Sequence, residues 1–181
     1  MTSKIVDRED ENDDLIEQLN ELIQLDFDAV RAYETAIDKL RDVSARGDLV
    51  LFKQDHERHI EDLSRAVLRL GGLPRDRGNL KGILLDGLTA LRAATGDVGA
   101  LRAMRMNERI TNRAYIKALD DPLSMDTRAI VLANREDEQR HLLSIKQHLE
   151  RLDEDYQDEI DDEEELLRSD SEFPWGAHPL A

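Results

Sequence analysis

Asp55-His56-Glu57-Arg58-His59 and Asp137-Glu138-Gln139-Arg140-His141 stand 82 residues apart and carry Asp, Arg and His at matching places. In each, a candidate metal ligand, His56 or Glu138, precedes a histidine, His59 or His141, by three residues. Residues i and i+3 share one face of a helix. Upstream of each string lies a helix-like segment with one glutamate on its apolar stripe, Glu34 before the first and Glu108 before the second. A helix-borne Glu followed by Glu-x-x-His, used twice, is how four-helix bundles hold two metal ions in their cores. His56 departs from that pattern, because it occupies a position where a glutamate is expected.

The flanking sequence is helical in character. Residues 1–73 contain no proline, and no stretch alternates β-branched residues. A first helix is expected from about Asp13 to Asp42, with the stripe Leu15, Leu19, Ile23, Phe27, Val30, Glu34, Ile37, Leu40. Ser44-Ala45-Arg46-Gly47 reads as a turn, Asp48 as a cap, and a second helix runs to Leu70. Gly71-Gly72 supply a left-handed stop, with Pro74 beyond. A shorter helix is expected over about Lys81–Ala94, then a third helix capped by Asp97 and a fourth from about Ser124 to Leu152. The short helix is long enough to carry the chain back along a bundle, at about 1.5 Å of rise per residue. The fold class is therefore all-α, a four-helix bundle of two antiparallel hairpins joined by one long crossover.

The six candidates, Glu34, His56, His59, Glu108, Glu138 and His141, fall at one level. Counted from the two hairpin turns, their positions within each hairpin agree to within about five residues, or under about 8 Å of rise. Three carboxylates and three imidazoles on apolar stripes need cations, since an unpaired buried carboxylate costs several kcal/mol. Asp55 and Asp137 offer an alternative pairing four residues before each histidine. They lie about 100° from the rows of 56 and 138, which suits partners of the ligands or surface charges. Tyr33 and Tyr115 adjoin or follow the two glutamates and read first as packing aromatics, with hydrogen bonding to a ligand or carrying an oxidising equivalent as the alternatives. His148 reads as a surface residue.

Composition narrows the function. The 181 residues carry a net charge of −16 and no cysteine, which excludes a disulfide scaffold and thiolate metal sites. Residues 153–181 hold twelve Asp/Glu and one Arg, so the remainder is only mildly acidic. Such charge disfavours nucleic acid and anionic membranes as partners. No run approaches the roughly 20 apolar residues of a membrane span, and Met1–Asn12 lacks the apolar core of a signal peptide, so a cytoplasmic protein is expected. The expected organisation is a flexible segment over 1–12, a bundle over 13–152 and an acidic tail over 153–181. That tail ends in the apolar Phe173-Pro174-Trp175-Gly176-Ala177-His178-Pro179-Leu180-Ala181, a candidate for docking a partner protein.

The set Glu34, His56/His59, Glu108, Glu138/His141 resembles the ferritin-like superfamily of di-iron carboxylate bundles, which includes ferritins and rubrerythrins. Leu22-Ile23-Gln24-Leu25-Asp26, Ala32-Tyr33-Glu34-Thr35-Ala36 and Leu70-Gly71-Gly72-Leu73-Pro74 are also similar to a group of small bacterial ferritin-like proteins of poorly assigned function. The resemblance covers about residues 13–152. It implies two iron ions, with manganese or zinc as alternatives. Glu34 and Glu108 would be terminal ligands, Glu138 a bridge, and His59 and His141 one ligand each. It implies a ferroxidase or another O2- or peroxide-dependent oxidation of Fe(II). The alternatives are a metal-binding stress protein without turnover and a cargo protein acting through its tail. Association through helix faces is a further expectation of the resemblance.

Overall fold

The computed structural model describes residues 3–76 and 91–153, with side chains from residue 12 onward. Four long helices form, and no strand occurs among the described residues: α1 (Ser3–Lys39), α2 (Val43–Arg69), α3 (Gly96–Leu119) and α4 (Met125–Leu152). The short crossover helix expected near 81–94 falls largely outside the described residues, although 91–93 are helical and Leu91 is buried. The tail beyond residue 153 and its apolar end lie outside them as well.

Cross-helix contacts fix the topology. Tyr33 meets Glu108 and Tyr115 meets Asp26, so α1 and α3 run antiparallel. Asp42 meets Arg151, Asp48 meets His148 and Arg58 meets Asp137, so α2 and α4 are antiparallel too. With α1 folded back on α2, helices α2 and α3 point the same way. Leu73 and Arg75 lie beside Asn20, and Arg92 and Ala94 beside Lys39, so the described ends of their connection stand at opposite ends of the bundle, as a long crossover requires.

The ends of the helices differ in detail from expectation. α1 begins at Ser3, ahead of the expected Asp13, and stops at Lys39. Residues 44–47 are helical rather than a turn, because Asp42 is the N-cap: its Oδ1 accepts the Ala45 N–H at 2.8 Å. Such a cap is worth about 0.5–2 kcal/mol, which outweighs one exposed helical glycine, Gly47, at about 1 kcal/mol. Asp97 does not cap its own helix. Its two oxygens accept the backbone N–H groups of Arg41 and Asp42 at 2.8 and 2.9 Å, tying the α1–α2 turn to the start of α3. α4 starts where expected, with Ser124 as its N-cap. Gly71 (φ 84°) closes α2, and the Gly72 N–H returns to the Val67 carbonyl. A Cβ on Gly72 would lie 2.7 Å from Ile16 Cγ2, so glycine lets the end of α2 approach α1.

Two apolar clusters fill the two ends of the bundle. One gathers Tyr33, Leu40, Leu49, Phe52, Leu101, Met104, Ile145 and Leu149; the other gathers Leu19, Ile23, Leu63, Val67, Leu119 and Val131. Fully burying each such side chain contributes about 1.5–3 kcal/mol. Between the clusters is a polar waist. No described helix is long and apolar enough to cross a membrane.

Candidate metal centre

Five of the six expected ligands meet at this waist: His56, His59, Glu108, Glu138 and His141, each 0% exposed. Glu34 does not join them. Its side chain is 60% exposed and lies 4.0 Å from Lys53 Nζ on the outside of the bundle. The carboxylate that α1 supplies is Asp26, fully buried. The expected α1 stripe takes three consecutive steps of four residues from Leu15 to Phe27. Each step turns about 40° beyond a full rotation, so the stripe drifts off the core. The buried row is Leu19, Ile23, Asp26, Ala29, Tyr33, Ala36, Leu40. A signal for Asp26 was present. Glu108 minus the interval of 82 is residue 26, and Tyr115 minus 82 is Tyr33.

That interval organises the whole centre. Tyr33 donates its hydroxyl to Glu108 Oε1 at 2.7 Å, and Tyr115 donates to Asp26 Oδ2 at 2.7 Å. His59 Nε2 donates to Asp137 Oδ2 at 3.2 Å, and His141 Nε2 to Asp55 Oδ2 at 3.0 Å. Each hairpin thus orients the candidate ligands of the other in a reciprocal, twofold-like arrangement. Outside the histidines, Arg58 and Arg140 each contact both Asp55 and Asp137. These arginines are about half exposed, so screening leaves the ion pairs a small share of stability. Their main effect is to hold the two aspartates against the histidines.

The inner atoms converge. His56 Nδ1 lies 2.9 Å from Asp26 Oδ1 and 3.4 Å from Glu138 Oε1. His59 Nδ1 lies 3.4 Å from the same Glu138 oxygen and 3.7 Å from Asp26 Oδ1. His56 Nε2 lies 3.6 Å from Glu108 Oε1, and His141 Nδ1 lies 3.4 Å from Glu108 Oε2. Donors bound at about 2.0–2.2 Å to one ion sit about 3.0–3.5 Å from each other, so these spacings match the edges of a coordination polyhedron. Six of the inner atoms are buried with no hydrogen-bond partner among the described residues: His56 Nε2, His59 Nδ1, His141 Nδ1, Glu108 Oε2 and both oxygens of Glu138. Buried polar atoms are nearly always satisfied, so their convergence fits a cation held between them. Two candidate donor groups result: Asp26, His56, His59 and Glu138, and His56, Glu108, Glu138 and His141.

Electrostatics agree. Burial opposes charge on His56, yet Glu138, Asp26 and Glu108 prevail and raise its pKa well above 6.5. His59 is raised to about 10 against burial, through Asp137, Asp26 and Glu138. His141 is raised against burial by Asp55 and Glu108. Glu108 and Asp26 are lowered despite burial, through His141 and His56 for the first and His56 and His59 for the second. Glu138 is raised, because burial outweighs the nearby imidazoles. In the metal-free protein, protons on the imidazoles occupy the role of cations. Burial and the adjoining carboxylates push the hydroxyls of Tyr33 and Tyr115 well above 10, so both remain donors. His148, expected at the surface, is 7% exposed and is held by Asp48 at 2.8 Å and Arg151 at 3.1 Å, away from the waist.

Fold and site together define a ferritin-like helical bundle with a carboxylate and histidine waist. A structure described as ferritin-like, diiron-carboxylate proteins from Bacillus anthracis str. Ames is similar at TM-score 0.60 and 19% identity, covering 77% of this chain and 97% of that one. The dodecameric thioferritin of Bacteroides fragilis, a bacterioferritin-related protein, is similar at TM-score 0.62 and 16% identity, covering 81% and 92%. At those identities the likeness shows the fold. Residues 14–121 match the family described as domain of unknown function DUF2383, and the chain belongs to that family. No curated protein matches the sequence.

Proposed function

We propose that this protein binds two divalent metal ions, iron foremost, at its waist and oxidises Fe(II) with O2 or peroxide. The observation that carries the reading is the convergence of six buried candidate ligand atoms from His56, His59, Glu108, Glu138 and His141 that have no hydrogen-bond partner among the described residues. Asp26 completes the set in place of Glu34. Asp26, His59 and Glu138 would hold one ion and Glu108 and His141 the other, with His56 between them. Iron supplies one-electron redox chemistry. Held there, two Fe(II) ions would supply the two electrons needed to reduce O2 to hydrogen peroxide. The chain's own part is to aim the ligands: Asp55 and Asp137 fix the histidines, and Tyr33 and Tyr115 fix one oxygen each of Glu108 and Asp26. The diiron-carboxylate description of a structural neighbour supports iron over manganese or zinc.

Metal analysis after iron-supplemented expression, comparing wild type with Glu138→Ala, tests the reading. About two irons per chain in wild type, lost in the variant, are expected for a bundle of this design. O2 consumption on adding Fe(II) to metal-free protein tests the oxidation. Stable iron without O2 uptake reduces the function to metal binding, and no iron after reconstitution overturns it.

A further inference from the structure

We propose that His56 joins the two metal positions, binding one ion through Nδ1 and the other through Nε2. The inference rests on the metal centre proposed above and specifies how its two halves are linked. His56 and Glu138 are the two residues common to both donor groups. The His56 ring is fully buried, and its two nitrogens face different partners. Nδ1 is hydrogen-bonded to Asp26 at 2.9 Å and faces Glu138 at 3.4 Å; Nε2 faces Glu108 at 3.6 Å and has no hydrogen-bond partner among the described residues. The ring also stands midway between the other two imidazoles, with centroids 5.4 Å from His59 and 5.3 Å from His141.

The chemistry of that placement is specific. An imidazole bound through both nitrogens has released its ring N–H proton to solvent and carries one negative charge. With Asp26, Glu108 and Glu138 it brings the ligand charge to −4, which balances two divalent ions. Position 56 is the counterpart of Glu138 at the interval of 82. The histidine thus replaces a carboxylate by a bridge of equal charge and greater length. Ring nitrogens on opposite sides of one imidazole, each about 2.1 Å from its ion, hold the ions about 6 Å apart. Carboxylate-bridged pairs lie about 3.5–4 Å apart.

Crystals of the full chain soaked in Mn(II) test this by anomalous scattering. Two peaks about 6 Å apart, flanking the His56 ring, are expected. Two peaks about 3.5–4 Å apart, with His56 touching one, would overturn the bridge while leaving the metal centre intact. A single peak also overturns it, and an absence of bound Mn(II) overturns the centre and the bridge together. In solution, His56→Gln should halve the Mn(II) bound per chain; full retention overturns the bridge. His56→Glu, which copies the residue of the other hairpin, should keep full occupancy and shorten the separation to about 3.5–4 Å. Helical circular dichroism checks that both variants are folded.

Discussion

The hairpin of α1 and α2 and the hairpin of α3 and α4 place the same working residues at the same interval, yet they surround them with different chemistry. Tyr33 and Tyr115, Asp55 and Asp137, Arg58 and Arg140, and His59 and His141 correspond one to one. Around them the first hairpin is apolar where the second is polar. Phe52 corresponds to Asn134, Leu25 to Asn107 and Val30 to Asn112, all buried. The Phe52 ring stacks on His141 with centroids 4.3 Å apart, whereas Asn134 contributes a long 3.4 Å hydrogen bond to Tyr115. The side-chain amides of Asn107 and Asn112 have no hydrogen-bond partner among the described residues. The positions that aim ligands are duplicated, while the packing behind them has diverged.

Substitutions that treat the halves unequally test this comparison. The largest effect is expected from Asp26→Asn. It keeps the shape but removes the α1 carboxylate, and metal analysis should find one ion per chain fewer. Phe52→Asn makes the first hairpin imitate the second; losing the buried ring is expected to destabilise the metal-free protein by about 3–5 kcal/mol in urea unfolding. Asp55→Asn and Asp137→Asn should each weaken metal binding by about 10–100-fold, measured by chelator competition, since each replaces the charged carboxylate that orients one histidine by a neutral amide. Equal losses support the twofold arrangement, and a tenfold disparity breaks it.

The pH dependence sharpens the same point. The folded pKa of His59, about 10, lies above its ordinary 6.5, so its contribution is fully present below about 6.5 and is lost as pH rises through about 10. Against burial, Asp137, Asp26 and Glu138 cause the rise, and His56 and His141 move the same way. Urea midpoints of the metal-free protein should fall between about pH 7 and 10. Metal-loaded protein should lack that decline, because the ions replace the protons. The smallest effect is expected from Glu34→Gln: no change in metal content, and stability within about 0.5 kcal/mol.

Most of the fold was legible because long amphipathic repeats, Gly71-Gly72 and Ser124 are local signals. The α1–α2 turn was misplaced because exposed Ser44 and Gly47 resemble a loop, while the group that stops and restarts the helix is Asp42, reinforced from a distance by Asp97. Periodicity carried Glu108 and both histidine pairs to the waist, but it led to Glu34 on α1. Choosing by residue type favoured a glutamate, although an aspartate one side-chain carbon shorter serves from a position two turns earlier. The hydrogen bonds from Tyr33 and Tyr115 join residues far apart in sequence, and only the docked hairpins reveal them.

With metal held at the waist as proposed, the reciprocal hydrogen bonds across it would make the centre a checkpoint for assembly. A hairpin parted from its twin would retain its own histidine but lose the aspartate that aims it, and would retain its tyrosine without the carboxylate it restrains. High affinity for metal would then appear only once both halves have docked in register. Tight metal uptake during refolding would mark the moment at which the two hairpins have found each other.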